Sequence, residues 1–259
     1  MPYPGCITVP DFSLWQYSAI GIIFVWTGFV RSGLGFGGAA LALPFMLLVY
    51  PQPIFFLPMI GLHLLFFAVL TTARRLSNVN WQFLKKALAV MIIPKMIGIL
   101  GLLSLPGEWL SLLVFTITFI YSLTYIFDYS IKSHHRWVDA VLLMLGGYIS
   151  GTSLIGAPLI VAVTMRYVVP AQLRDTLFIL WIILVCIKMS AFIAAGVELQ
   201  IVFSLWLLPL AGIGHYFGLK MHERLIGSSA TEFRRILGVI MIGVTVLGLW
   251  QSLEKLFSV

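Results

Sequence analysis

Apolar runs far too long for a soluble core dominate this chain. From Ile54 to Thr72, and again from Trp109 to Phe127, no Asp, Glu, Lys or Arg occurs. A helix needs roughly 20 such residues to cross a bilayer. Hydrophobic residues make up 61% of the 259 and charged ones only 10%, whereas a soluble domain is about half apolar and a quarter charged. Too few charges remain to coat a water-facing surface, so the chain reads as an all-α polytopic membrane protein. Its many Phe, Trp and Met residues are lipid-facing and packing material.

Hydropathy divides the chain into about ten helical segments. They run Leu14–Arg31, Gly37–Tyr50, Ile54–Thr72, Phe83–Leu103, Trp109–Phe127, Val138–Ser150, Leu154–Tyr167, Leu173–Ala195, Ile201–Met221 and Phe233–Leu253. Arg74, Arg75, Lys85, Lys86, Lys132, Arg136, Arg166, Arg174, Lys220, Arg224, Arg234 and Arg235 gather in alternate loops, while those around Pro51, Pro106 and Gly196 carry none. By the positive-inside rule both termini are then extracytoplasmic. The plan is an extracytoplasmic segment (1–13), a first membrane repeat (14–128), a basic cytoplasmic loop (129–137) and a second repeat (138–259). Five segments per half is an odd number, so the halves form inverted-topology repeats. The formal net charge of +7 reflects the loop cations rather than a nucleic-acid surface. Cys6 and Cys186 form no CxxC pattern, and neither a disulfide nor a metal or cofactor site is expected.

Two interruptions carry the functional signal. Ser32-Gly33-Leu34-Gly35-Phe36-Gly37-Gly38-Ala39 breaks the first half, and Ser150-Gly151-Thr152-Ser153-Leu154-Ile155-Gly156-Ala157-Pro158 breaks the second. Matched glycine/proline interruptions in two halves of a membrane chain point to a transporter binding site. The second, sixth and seventh segments are short, so each break joins tilted spans or the arms of a re-entrant hairpin. A helix that starts after a break offers free amide donors and a positive dipole end, which favour an anion. Ser32, Ser150, Thr152 and Ser153 are expected to add hydroxyl donors, with Gly33, Gly35, Phe36, Gly37, Gly38, Gly151, Gly156 and Pro158 shaping the site. Gly33, Gly35 and Gly38 also satisfy GxGxxG, but neither the strand nor the acidic residue of a dinucleotide fold accompanies them.

Lys95 and Lys188 lie inside apolar segments, where a charge costs about 2.5–3.5 kcal/mol on insertion scales. The nine acidic residues fall at span ends, in loops or at termini. An anionic substrate is the expected counter-charge for both lysines; the alternative is that each is neutral or bonded to backbone carbonyls. His63 and His215 lie within spans and are candidate proton relays, because imidazole titrates near neutral pH. Catalytic motifs such as HExxH, and a Walker A sequence, do not occur; an enzyme is not expected, nor direct ATP drive.

The stretches SGLGFGGAALALPF and SGTSLIGAPLIV resemble the twin glycine motifs of the TauE/SafE family of sulfite and organosulfonate exporters. Similar too are Leu173–Ala195 and the tail from Leu207-Leu208-Pro209 through Gly214 and Gly218 to Phe233-Arg234-Arg235. The resemblance implies an inner-membrane permease for small sulfur-containing or carboxylate anions, coupled to protons, working by alternating access around a midplane site. Its motif positions are Gly33, Gly35, Gly37, Gly38 and Pro44, then Gly151, Gly156 and Pro158. Ser153 and Ile155 stand where the family commonly has glycine. An anion channel with a glycine-lined constriction is the alternative.

Overall fold

A computed structural model describes residues 10–34, 38–128, 135–225 and 229–257. Among them are ten α-helices, one 3-10 turn at Leu76–Asn78, and no strand. The helices are α1 (Leu14–Leu34), α2 (Gly38–Val49), α3 (Pro53–Thr72), α4 (Trp81–Ser104), α5 (Gly107–Ile126), α6 (Arg136–Ser153), α7 (Ala157–Tyr167), α8 (Pro170–Ala194), α9 (Ile201–Leu225) and α10 (Ser229–Phe257). Six are long and apolar enough to cross a membrane: α3, α4, α5, α8, and most of α9 and α10. Large apolar side chains stand exposed along them, as at Trp206 (77% accessible) and Trp250 (72%). Lipid, not water, suits such a surface. The chain is a multi-pass membrane protein.

Proline placement follows backbone chemistry. Pro53 and Pro170 open α3 and α8, where a missing N–H leaves no bond unmade. Pro44, Pro58, Pro94 and Pro209 lie inside helices, which neighbouring membrane helices can tolerate.

Two compact units draw on both sequence halves. The first contains α1, α2, α5, α9 and α10. Here α1 packs along α9 and against α2, and α10 packs along α5. Glycines set the α1–α9 spacing. A methyl group on Gly28 would lie 2.9 Å from the His215 nitrogen, and one on Gly214 would lie 2.8 Å from that of Phe29. Nothing larger than hydrogen fits, as at other close membrane-helix contacts. Val30, Leu41, Leu237 and Met241 form a buried apolar cluster nearby.

The second unit holds α3 from Pro58 onward, α4, α6, α7 and α8. Its main seam joins α4 to α6. A methyl on Gly147 would approach the Met91 carbonyl oxygen to 2.8 Å, and one on Gly151 would lie 3.0 Å from the Gly98 Cα. The Leu76–Asn78 turn is tied to α8. Asn78 Nδ2 donates to Asp175 Oδ2 at 2.6 Å and to the Ala171 carbonyl at 2.7 Å, and the Asn80 N–H donates to Thr176 Oγ1 at 3.0 Å.

Both Ser-Gly pairs lie inside helices rather than at breaks. Residues Ser32 and Gly33 continue α1 to Leu34, and Ser150 through Ser153 continue α6. Gly151 therefore serves close packing on α4 rather than unwinding. Leu154 ends α6 in the left-handed conformation (φ 61°), uncommon for a residue other than glycine. Only residues 154–156 separate α6 from α7. The segments that follow the breaks are short: α2 has 12 residues and α7 has 11. At 1.5 Å per residue, 11 residues span only about 16 Å, half of a ~30 Å hydrocarbon core.

Candidate functional site

In the second unit the α4–α6 seam brings two expected residues together. Lys95 is fully buried, and its Nζ donates to Ser150 Oγ at 3.1 Å and to the Ser150 carbonyl at 3.4 Å. That carbonyl belongs to the last turn of α6, where the helix dipole is negative and a cation is favoured. Lys95 thus has a partner that the sequence did not reveal. The glycine contacts create it, because they let α4 approach the end of α6.

Lys188 is different. It is 1% exposed, and its Nζ is buried with no hydrogen-bond partner among the described residues. The Phe192 ring is a favourable neighbour, 5.6 Å from Nζ to centroid. Lys95 belongs to the same unit, in which α4 packs on α8. Two buried lysines lie in one unit, and one of them makes no hydrogen bond among the described residues.

The hydroxyls beside the second break are not the free donors expected. Thr152 Oγ1 and Ser153 Oγ each donate to the Ile149 carbonyl at 3.0 Å, so their protons are committed to the helix. Ser150 accepts from Lys95 and keeps its own proton. At the start of α7, Gly156 precedes the helix, no side chain caps it, and Pro158 occupies the first turn. A methyl on Gly156 would lie 3.0 Å from the Ser150 nitrogen.

In the first unit Arg31, Ser32 and Gly33 are buried at the end of α1. Ser32 Oγ shares a hydrogen bond with His215 Nδ1 of α9. A serine at each break is therefore bonded by a titratable side chain from the helix packed against it: His215 for Ser32, Lys95 for Ser150. Gly38 opens α2. The candidates Gly35, Phe36 and Gly37 lie outside the described residues. His63 is buried in α3, and its Nδ1–H donates to the Met59 carbonyl at 2.8 Å.

Sequence reasoning placed Asp139 at a span end without a task. It is buried (5%), and its Oδ2 accepts from Arg166 Nη1 at 2.8 Å and from the Tyr167 hydroxyl. The opposite charges of Asp139 and Arg166 were the available signal, but their meeting depends on α7 folding back beside α6. Among the described residues no group of three or more His, Cys, Asp or Glu could hold a metal ion.

A protein-family model described as sulfite exporter TauE/SafE matches residues 20–247, which is most of the chain. The chain belongs to the TauE/SafE sulfite exporter family. Both breaks, both buried lysines and the His215–Ser32 bond fall inside the matched region. This member is therefore a multi-pass protein of a membrane-transporter family. No curated protein and no solved structure matches it.

Proposed function

We propose that this protein is a secondary transporter of small anions, of the sulfur-containing oxyanion, organosulfonate or carboxylate class. Transport proceeds by alternating access around a site near the membrane midplane, driven by protons. The observation that carries this reading is Lys188: a buried ammonium without a hydrogen-bond partner among the described residues, in the same unit as a second buried lysine. A charge held this way in a membrane helix is expensive, and an anionic guest supplies the missing partner. Lys95 contributes positive potential and holds the end of α6, while Ser150 has a hydroxyl proton to offer. His215, bonded to Ser32 of the first break, is the proton-relay candidate. His63 is tied to its own helix and ranks below it.

Family membership supports the transport class and sulfite as the first anion to test. The inverted five-helix repeat is part of the same proposal. Its support is that α1 packs on α9 while α6 packs on α4, which is one pairing repeated when the helices of the two halves are matched in order. The basic residues support extracytoplasmic termini, and the family resemblance supports residence in the cell's inner membrane.

Proteoliposomes test the reading. Uptake of radiolabelled sulfite is expected to saturate, to respond to an imposed pH gradient and to disappear in Lys188→Met. Unitary currents in planar bilayers would instead establish the channel alternative.

A further inference from the structure

At the other end of the α4–α6 pair from Lys95 lies a cleft of about 290 Å³, which the transport reading does not use. The helices run side by side from Trp81 and Arg136, and they touch most closely from Met91/Gly147 to Gly98/Gly151. Before that contact they stand apart, and the end of α7 walls the gap with Val163 and Tyr167. Chemistry changes along its length. The mouth carries Asn80, Lys86 and Arg136, while the wall behind is Phe83, Val90 and Leu143. Asp139 also lines the cleft, but its carboxylate is ion-paired with Arg166 and bonded by Tyr167. The positive starts of α4 and α6 add to the two cations.

We propose that this cleft binds one anionic phospholipid, with its phosphate at Lys86 and Arg136 and the start of an acyl chain along the apolar wall. Two independent features favour lipid over a soluble anion. The cleft is amphipathic, polar at its mouth and apolar within, as one end of a lipid is. Exposed Trp81 (45%) and Trp137 (69%) stand at the starts of α4 and α6, next in sequence to the lining residues Asn80 and Arg136, and tryptophan concentrates at the head-group level of a bilayer. Basic pockets between membrane helices are a recurrent way to hold anionic head groups. The volume lies at the lower edge of small-ligand pockets, about 300–1,000 Å³. It suits a head group and the first methylenes, and the rest of the chain would lie over exposed Val141 and Met144 of α6.

The test uses the full chain, purified and delipidated in detergent. Phosphatidylglycerol, phosphatidylcholine with the same acyl chains, and soluble glycerol phosphate are added separately, and bound adducts are counted by native mass spectrometry. Phosphatidylglycerol is expected to bind about tenfold better than phosphatidylcholine, with the preference weakened by salt. Lys86→Gln combined with Arg136→Gln removes that preference. Val90→Trp keeps both charges but fills the wall; it lowers phosphatidylglycerol binding, and it decides the matter should the double variant fail to fold. Equal binding of the two lipids overturns the proposal. So does glycerol phosphate matching phosphatidylglycerol, which would make the cleft a site for soluble anions, or an unchanged preference in both variants.

Discussion

Replacing Lys188 by methionine should stabilise this protein while abolishing its function, a combination that an ordinary structural residue would not give. The ammonium is 1% exposed and lacks a hydrogen-bond partner. Its insertion penalty is about 2.5–3.5 kcal/mol. The Phe192 ring at 5.6 Å returns about 0.5–2 kcal/mol, which leaves roughly 0.5–3 kcal/mol against folding. Methionine has a similar length and no charge, so Lys188→Met should recover that amount. At about 2–4 °C per kcal/mol for a chain near this size, melting in anion-free detergent should rise by roughly 1–12 °C. Intrinsic tryptophan fluorescence reads the transition. Saturating sulfite should then raise only the wild type, by about 2.7 kcal/mol at a concentration 100 times the Kd, so that the gap narrows or reverses. A lower melting temperature for Lys188→Met without anion would refute the reasoning, because it would mean that the charge is already satisfied by protein.

Other outcomes follow from the same geometry. Gly151→Ala places a methyl group 3.0 Å from the Gly98 Cα; it should destabilise by about 1–3 kcal/mol through overpacking and weaken anion binding through the displaced Ser150, both measurable in the same melts. Gly101→Ala meets nothing within 4 Å and should be neutral or stabilising by up to about 1 kcal/mol, as a matched control. His215→Gln should preserve sulfite counterflow yet lose pH-driven accumulation in proteoliposomes, since glutamine can still bond Ser32 but cannot titrate. Phosphatase fusions should be active at the C-terminus and inactive after Arg75, which tests the orientation inferred from the basic loops.

Helix existence and most boundaries were legible because charge-free apolar runs end at proline, glycine or basic clusters. The expected Ile54–Thr72 and the observed Pro53–Thr72 differ by one residue. The break positions were less legible. Thr152 and Ser153 read as polar loop residues, but in an apolar setting their hydroxyls bond a carbonyl of their own helix and extend it. Lys188 could be singled out because the acidic residues fall at segment ends. The Lys95–Ser150 bond could not, since it depends on which helices pack together, and periodicity within one helix is silent on that. For the same reason the sequence halves do not reveal the compact units. Helix four of each half packs with helix one of the other, and such long-range pairing leaves no local mark.

Equilibrium binding of sulfite to purified wild type, Lys188→Met and Lys188→Arg bears most directly on the role of the buried ammonium. Saturable binding to the wild type, weaker by at least about tenfold (1.4 kcal/mol) in the methionine variant and partly kept by arginine, is the result this account requires. Binding that is unchanged when Lys188 loses its charge would contradict it.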